Sequence, residues 1–142
     1  MPLIFIASDH AGFELKQYLI ETLKEDIRDL GTYSAESCDY PMYANKLTEE
    51  VLHNSNSVGI LICGSGIGMS ITANRKKGIR AALCFNKETA ELARKHNDAN
   101  VLVLGARFIS KEHATECIQI FLHTQFESGR HLRRIQQIDA IT

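Results

Sequence analysis

The sequence predicts an α/β fold: a three-layer α/β/α Rossmann-like sandwich with a five-stranded parallel sheet and a C-terminal helical tail. Two observations carry this prediction, namely short apolar runs typical of buried strands and amphipathic helical patterns between them. Apolar strands that alternate with helices form right-handed βαβ units, whose sheet is covered on both faces. The length of 142 residues suits one domain, so we expect a single domain over 1–142.

The strand-like runs occur at five places, of which the second is the weakest. They are Leu3–Ala7, Ile27–Leu30, Val58–Ile62, Ile79–Phe85 and Val101–Leu104. One helical stripe has the spacing i, i+4, i+8 at Leu15, Leu19 and Leu23. Another has the spacing i, i+3, i+4, i+7, i+8 and consists of Ala114, Cys117, Ile118, Phe121 and Leu122.

The predicted sheet indicates where a ligand would bind. In parallel α/β sheets, ligands bind beyond the carboxyl ends of the strands. This rule selects SDHAG (Ser8–Gly12) after the first strand and CGSGIG (Cys63–Gly68) after the third. Both stretches are candidates for one site.

The composition excludes several classes of protein. A net charge of −1 provides no field that attracts nucleic acid or an anionic membrane. The N-terminal apolar run is short and lacks a basic flank, so we expect no signal peptide, and no stretch reaches the ~20 apolar residues of a membrane helix. The cysteines form no C-x-x-C pair, which argues against a disulfide framework or a zinc site; they are Cys38, Cys63, Cys84 and Cys117. We expect a cytoplasmic protein.

The glycine-rich loop at Cys63–Gly68 does not match the common nucleotide or phosphatase motifs. A G-x-G-x-x-G fingerprint would need glycine where Met69 or Ile71 stands, and no Gly-Lys-Ser/Thr comes after it for a P-loop. A C-x5-R phosphatase loop would need arginine in place of Met69. The remaining interpretation is an anion receptor made of backbone N–H groups and the start of the next helix.

Cys63 lies at the mouth of this loop and has two interpretations. The partial positive charge of the loop favours the thiolate, which can attack a carbonyl or remove a proton next to one. The alternative is that Cys63 ends a buried strand and is packing material. We expect Cys84 and Cys117 to be core residues, whereas Cys38 lies in a polar loop that predicts nothing by itself.

Other polar residues also have a functional and a structural interpretation. Asp9 and His10 come directly after the first strand, where Asp9 is equally suited to capping a helix. Tyr40 belongs to a D-Y-P triplet that opens another helix, with Pro41 in its first turn. Arg130 and Arg134 are one helical turn apart, so they can share an anion or belong to a solvated basic surface.

His96 and Asn97 end the fourth predicted helix, just before the fifth strand. A histidine there is also a natural partner of the helix dipole. The start of the fifth strand lies at the opposite sheet edge from Cys63, about 17 Å away. If His96 serves the Cys63 site, it must come from a neighbouring subunit or an unusual loop, which suggests a dimer with composite sites.

Six motifs, in this order along the chain, resemble the ribose-5-phosphate isomerase B family, whose wider group includes galactose-6-phosphate isomerase subunits. They are SDHAGFELK (Ser8–Lys16), DYP (Asp39–Pro41), LICGSGIGMSITANR (Leu61–Arg75), GIRAAL (Gly78–Leu83), HNDANVLVLGAR (His96–Arg107) and GRHLRR (Gly129–Arg134). The resemblance covers nearly the whole chain. It implies an aldose–ketose isomerase without metal or cofactor, in the non-oxidative pentose phosphate pathway, that is a homodimer or a tetramer with sites shared between subunits.

The resemblance also implies a role for each candidate residue. Cys63 would move the proton from C2 of ribose 5-phosphate to C1, while the Ser65 hydroxyl, where the family more often has threonine, would assist between O1 and O2. The enediolate oxygen would be held by the backbone N–H groups around Gly64, Gly66, Ile67 and Gly68. His96, aided by Asp9, would open the furanose ring. The sugar would contact Tyr40 and Asn97, and the phosphate would contact His10, Arg107, Arg130 and Arg134.

Two other functions remain open at this point. The same site could isomerise a six-carbon sugar phosphate such as allose 6-phosphate or galactose 6-phosphate, because pocket length is not visible in the sequence. A non-catalytic sugar-phosphate sensor would keep the fold and the phosphate contacts but would not need a poised thiol. The presence of both Cys63 and His96 in one chain favours the five-carbon isomerase.

Overall fold

The computed structural model describes residues 1–141 and confirms the predicted fold class. Five strands and six helices succeed one another along the chain. They are β1 (Leu3–Ser8), α1 (Phe13–Thr22), β2 (Ile27–Asp29), α2 (Tyr40–His53), β3 (Ser57–Cys63), α3 (Ile67–Ala73), β4 (Ala81–Leu83), α4 (Lys87–Asn97), β5 (Val101–Gly105), α5 (Lys111–His123) and α6 (Arg130–Asp139). All strand pairs are parallel, in the order β2-β1-β3-β5-β4. None of the helices between residues 1 and 141 combines the length and the apolar composition that a membrane crossing requires.

The central strand β3 separates two hydrophobic cores. Every residue of β3 is buried, and its side chains alternate between the faces of the sheet. Ile60 and Ile62 belong to the core formed with α1, α4 and α5, whereas Leu61 and Cys63 belong to the core formed with α2 and α3. Burial on both faces explains the unbroken apolar run, and each large aliphatic side chain contributes about 1.5–3 kcal/mol.

The edge strand β4 is shorter than the predicted run Ile79–Phe85. The strand itself spans Ala81–Leu83, which pair with β5, and all three residues are half-buried. Ile79 is buried, but its backbone N–H donates to the Lys76 carbonyl in the turn before the strand, 3.1 Å away. The length of an apolar run therefore exceeds the length of the strand where a buried apolar residue belongs to the preceding turn.

An ion pair with a completely buried lysine joins α1 to the short edge strand β2. The Lys16 side chain is 0 % exposed, and its Nζ lies 2.7 Å from both carboxylate oxygens of Asp29. Asp29 Oδ1 also accepts a hydrogen bond from the Gly31 backbone N–H at 2.9 Å. A buried charge is tolerated only when it is paired, so this contact holds β2 and the chain after it against α1.

We expect Asp29→Asn to lower the free energy of unfolding by about 3 kcal/mol, because the variant leaves the buried Lys16 charge without its counter-charge. The measurement is urea unfolding at one fixed protein concentration. Glu49→Gln is the matched control, since it removes an exposed carboxylate 3.5 Å from Lys76 and should cost less than about 0.5 kcal/mol. Equal losses in the two variants would contradict the role of the Lys16 pair.

Candidate active site

The sheet register brings the predicted loops to one edge. Ser8 at the end of β1 is level with Ile62, and Cys63 at the end of β3 is level with Gly105 at the end of β5. Side chains directly after these three strands therefore share the carboxyl edge of the sheet. The two stretches predicted to form one site, Ser8–Gly12 and Cys63–Gly68, do lie beside each other.

The loop after Cys63 aims backbone N–H groups at side-chain acceptors. Gly66 has φ = 79°, a conformation that favours glycine, and its N–H donates to Cys63 Sγ at 3.2 Å. The N–H of Ile67 donates to Ser65 Oγ, also at 3.2 Å. A hydrogen bond received by sulfur stabilises the thiolate over the thiol.

The Cys63 side chain lies at the boundary between core and loop. It is 5 % exposed and belongs to the same hydrophobic cluster as Ala7 and Met69, so the packing interpretation accounts for part of its position. Low exposure also suits a base that removes a proton from carbon, because water must be excluded from such a reaction. The hydrogen bond from Gly66 is the feature that packing alone does not require.

The other two buried cysteines show what a purely structural thiol looks like in this chain. Cys84 and Cys117 both belong to the core on the α1, α4 and α5 side, as predicted from the sequence. Burial raises the pKa of Cys84, and it raises the pKa of Cys117 to about 12. Both thiols are inert at neutral pH.

Two candidate side chains pack directly on the glycine loop. A Cβ atom at Gly68 would lie 2.5 Å from ring carbons of Tyr40, so only glycine allows this approach. The guanidinium of Arg107 lies against Gly64, where a Cβ atom would be 3.0 Å from Cζ. The Arg107 backbone N–H also donates to the Gly64 carbonyl at 3.0 Å. Both residues border the same loop as Cys63.

The Asp9 carboxylate closes the turn that leads into α1, but it does not cap the helix itself, because the N-cap residue is Gly12 and no side chain caps it. Its Oδ1 accepts a hydrogen bond from the Gly12 backbone N–H at 3.0 Å, just before α1 begins at Phe13. The side chain is buried next to the strand end. The bond to Gly12 occupies one of the two carboxylate oxygens, so a second role for Asp9 is compatible with this contact.

His10 is held in one tautomer by the polar loop that contains Cys38. The backbone N–H of Cys38 donates to His10 Nδ1 at 3.2 Å. An acceptor nitrogen carries no proton, so the neutral ring has its proton on Nε2. His10 therefore offers a directed N–H donor, which suits an anion.

His96 and Asn97 lie at the opposite edge of the sheet, as predicted. They end α4, and Val101 at the start of β5 is level with Gly59, four residues before Cys63 on β3. Four residues of strand correspond to about 13 Å. The structure therefore separates His96 from Cys63 within one chain.

The helix α6 lies beside His96. The rings of His96 and His131 stack with centroids 4.3 Å apart. Arg80 joins the same two helices, since it donates to the Asn97 carbonyl and forms an ion pair with Asp139 at 2.8 Å. Arg130 and Arg134 therefore lie, with exposed side chains, on the helix that packs beside His96.

One chain consequently divides the candidate residues into two groups. We call the first the cysteine group: Asp9, His10, Tyr40, Cys63, Gly64, Ser65, Gly66, Ile67, Gly68 and Arg107. We call the second the histidine group: His96, Asn97, Arg130 and Arg134. Neither group alone contains every residue that the sequence assigned to the site.

Exposed apolar side chains border the cysteine group. We call them the apolar rim: Ile67 and Ile71 on α3, Phe85 after β4 and Phe108 after β5. The rings of Phe85 and Phe108 meet edge to face with centroids 6.5 Å apart. Exposed apolar surface next to a polar site is typical of a contact with another protein surface.

One cluster in residues 1–141 offers three metal-ligand atoms close together: His96, Glu127 and His131, within 4.8 Å of one another. The two imidazole planes are only 14° from parallel. Stacked rings direct their in-plane lone pairs side by side and not toward one point. We therefore assign no metal to this cluster.

Comparison with known proteins places this geometry in a family. Residues 4–138 match the model of the family described as Ribose/Galactose Isomerase. The crystal structure of a ribose 5-phosphate isomerase from Thermotoga maritima superposes with a TM-score of 0.96 at 52% identity, covering 99% of each chain. Ribose-5-phosphate isomerase B of Escherichia coli is 42% identical over 144 residues, which cover 99% of this chain and 97% of that protein. A Clostridium thermocellum ribose-5-phosphate isomerase B structure has a TM-score of 0.93 at 42% identity and covers 96% of this chain and 94% of its own.

The tautomer of His10 can be measured directly. We expect ¹⁵N NMR of the neutral protein to show a protonated Nε2 and a bare Nδ1 for His10, because the Cys38 N–H donates to Nδ1. His53 and His123 are internal controls with the opposite tautomer, since each Nδ1 faces a backbone carbonyl at 2.7 Å and 2.8 Å respectively. A protonated Nδ1 on neutral His10 would contradict the contact with Cys38.

Proposed function

The chain belongs to the ribose/galactose isomerase family, and from this premise we propose that it interconverts D-ribose 5-phosphate and D-ribulose 5-phosphate through an enediolate. The protein is an aldose–ketose isomerase, and relatives named ribose-5-phosphate isomerase match almost the whole chain. The observation that carries the mechanism is the Cys63 sulfur, which ends a buried strand and accepts a hydrogen bond from the Gly66 N–H.

Proton transfer begins at Cys63. The thiolate removes the proton from C2 of the open-chain aldose, and the electrons of that C–H bond form the C1=C2 bond of the enediolate. Negative charge then develops on O1, which free N–H groups of the Gly64–Gly68 loop stabilise. The Ser65 hydroxyl passes a proton from O2 to O1, and the Cys63 thiol returns its proton to C1.

Ring opening precedes enolisation, because the cyclic sugar has no carbonyl. His96 of the partner subunit donates a proton to the ring oxygen, while a base removes the proton from the anomeric hydroxyl. Asp9, anchored through Oδ1 to Gly12, is placed to assist with its other oxygen. The carbonyl at C1 then acidifies the C2 proton.

The phosphate holds the substrate at a distance from the reacting carbons. His10 donates from Nε2, and positive charge comes from Arg107 at the loop and from Arg130 and Arg134 of the partner's α6. Tyr40 and the partner's Asn97 line the sugar between these ends. Binding energy from the remote phosphate positions C1 and C2 against Cys63.

A homodimer, alone or paired into a tetramer, brings the two groups together. The cysteine group of one protomer receives the histidine group of its partner, which explains why one chain separates them. The apolar rim beside the cysteine group supplies surface for that contact. We propose that the whole activity resides in one domain, residues 1–142, which acts in the cytoplasm, where a reduced thiol persists.

A six-carbon substrate is the second candidate, because the matching family includes galactose isomerases. The names of the relatives at 52% and 42% identity favour the five-carbon sugar. The ratio of kcat/KM for ribose 5-phosphate to that for allose 6-phosphate or galactose 6-phosphate decides between them. A ratio below one would show that the six-carbon sugar phosphate is the preferred substrate.

We expect Cys63→Ala to lower kcat by about a hundredfold to ten-thousandfold, because the base is lost. In D₂O the variant should place no deuterium at C1 of ribulose 5-phosphate, although sugar phosphate still binds. Cys63→Ser should be similarly inactive, since a hydroxyl is a much weaker base at neutral pH.

Cys117→Ala is the matched control for this experiment. It removes a thiol that is also buried but lies on the other face of the sheet. It should lower stability and leave turnover within about twofold of wild type. Normal turnover in Cys63→Ala would identify Cys63 as packing material, and binding without exchange in the wild type would identify a sensor.

The shared site predicts complementation between two inactive variants. Mixed dimers of Cys63→Ala and His96→Ala chains contain one site with both residues intact. Random exchange of subunits should therefore restore about one quarter of wild-type activity. No recovery, in a mixture shown by mass spectrometry to contain mixed dimers, would place both residues of each site in one chain.

A further inference from the structure

The His96 side chain needs support that its own helix does not supply. It ends α4 and is 39 % exposed, so its ring has solvent on one side. A catalytic side chain that must reach into a neighbouring protomer needs a fixed orientation, because its misplacement by about 1 Å can lower the reaction rate about a hundredfold. The residues that contact His96 are therefore relevant to ring opening.

His131 restrains the plane of the His96 ring. The two rings stack with centroids 4.3 Å apart and planes 14° from parallel. The His131 side chain is only 10 % exposed, at the start of α6. It is therefore a fixed surface on which the more exposed His96 ring rests.

Glu127 provides the one carboxylate of this cluster. Its Oε1 lies 3.6 Å from His131 Nε2 and 4.0 Å from His96 Nε2. Its backbone N–H donates to the Lys95 carbonyl at 3.0 Å, which ties the segment before α6 to the last turn of α4. The carboxylate is therefore held where it faces Nε2 of both histidines.

Burial and the surrounding charges disfavour the protonated form of His131. Burial is the main cause that lowers the pKa of His131, and His96, Arg130 and Arg134 lower it further, against the opposing effect of Glu127. From α4, Lys95 also faces Glu127, although it hydrogen-bonds chiefly to Glu91. His131 is thus neutral at neutral pH, and it acts on His96 as an uncharged stacking partner.

We propose that Glu127 and His131 are positioning residues for ring opening: Glu127 keeps a proton on Nε2 of His96, and His131 fixes the ring plane by stacking. His96 then donates the Nδ1 proton of its imidazolium form to the ring oxygen of the sugar and keeps the Nε2 proton that faces Glu127, which leaves the neutral ring with its proton on Nε2. This inference rests on the proposed function. It assigns roles to two residues that contact His96 and not the substrate.

The test separates ring opening from enolisation. Turnover of ribose 5-phosphate requires both steps. Ribulose 5-phosphate has no free hydroxyl that can close a five-membered ring, so exchange of its C1 hydrogen with D₂O requires enolisation alone. We expect Glu127→Gln to lower kcat for ribose 5-phosphate about tenfold to a hundredfold and to leave C1 exchange of ribulose 5-phosphate within about twofold of wild type.

Two variants complete the comparison. Glu116→Gln is the matched control, because Glu116 is an exposed carboxylate with Oε1 at 3.9 Å from Nε2 of His113, and neither residue has an assigned role. It should change neither rate. His131→Phe keeps a stacking ring and should retain more turnover than His131→Ala. Parallel loss of both rates in Glu127→Gln, or no loss in either, would overturn the proposal. Absence of both rates in the wild type would instead overturn the proposed function.

A measurement without substrate tests the same assignment. In ¹⁵N NMR of the wild-type protein, we expect neutral His96 to carry its proton on Nε2. Glu127→Gln should shift His96 toward a mixture of tautomers and leave His10 unchanged. A proton on Nδ1 of wild-type His96 would overturn the role of Glu127 whatever the enzyme assays show.

Discussion

The direction of the strands is the constraint on which the rest of this structure depends. In a parallel sheet, all strands run in the same direction. A residue at the end of β3 and a residue just before β5 must therefore lie at opposite ends of the strands. Cys63 ends β3, and His96 precedes β5. Side-chain flexibility cannot bridge a strand length, so a site that uses both residues requires a second chain, and the apolar rim beside Cys63 offers a surface for it.

The glycine-rich loop at Cys63–Gly68 meets two opposing requirements at the end of β3. As the proposed base, Cys63 must be shielded from water, yet its substrate must reach it. Core packing shields Cys63, and the absence of side chains at Gly64 and Gly68 lets Arg107 and Tyr40 approach the backbone. The loop therefore gives the sulfur an N–H donor from Gly66 and lets two polar side chains lie against its own backbone, where larger residues would block them.

The fold and the place of the site could be predicted because they depend on local patterns. Apolar runs located all five strands, and strand direction placed His96 away from Cys63. Contacts between distant segments could not be predicted. Lys16 is completely buried because Asp29 lies beside it, and His10 has a defined tautomer because the Cys38 backbone meets it. Periodicity assigns a lysine to the surface and does not reveal its partner 13 residues away, nor the partner of His10, which lies 28 residues away.

The two groups of the site differ in how their reactive side chains are held. Cys63 is 5 % exposed and needs no further support, because the core that packs around the strand end also orients the sulfur. His96 is 39 % exposed at a helix end and obtains no orientation from the core. The residues that contact His96 must therefore fix its orientation, as burial fixes the orientation of the Cys63 thiol. In the proposed site, stacking on His131 and the carboxylate of Glu127 do this without covering the ring, which leaves His96 exposed as its proposed entry into a neighbouring protomer requires.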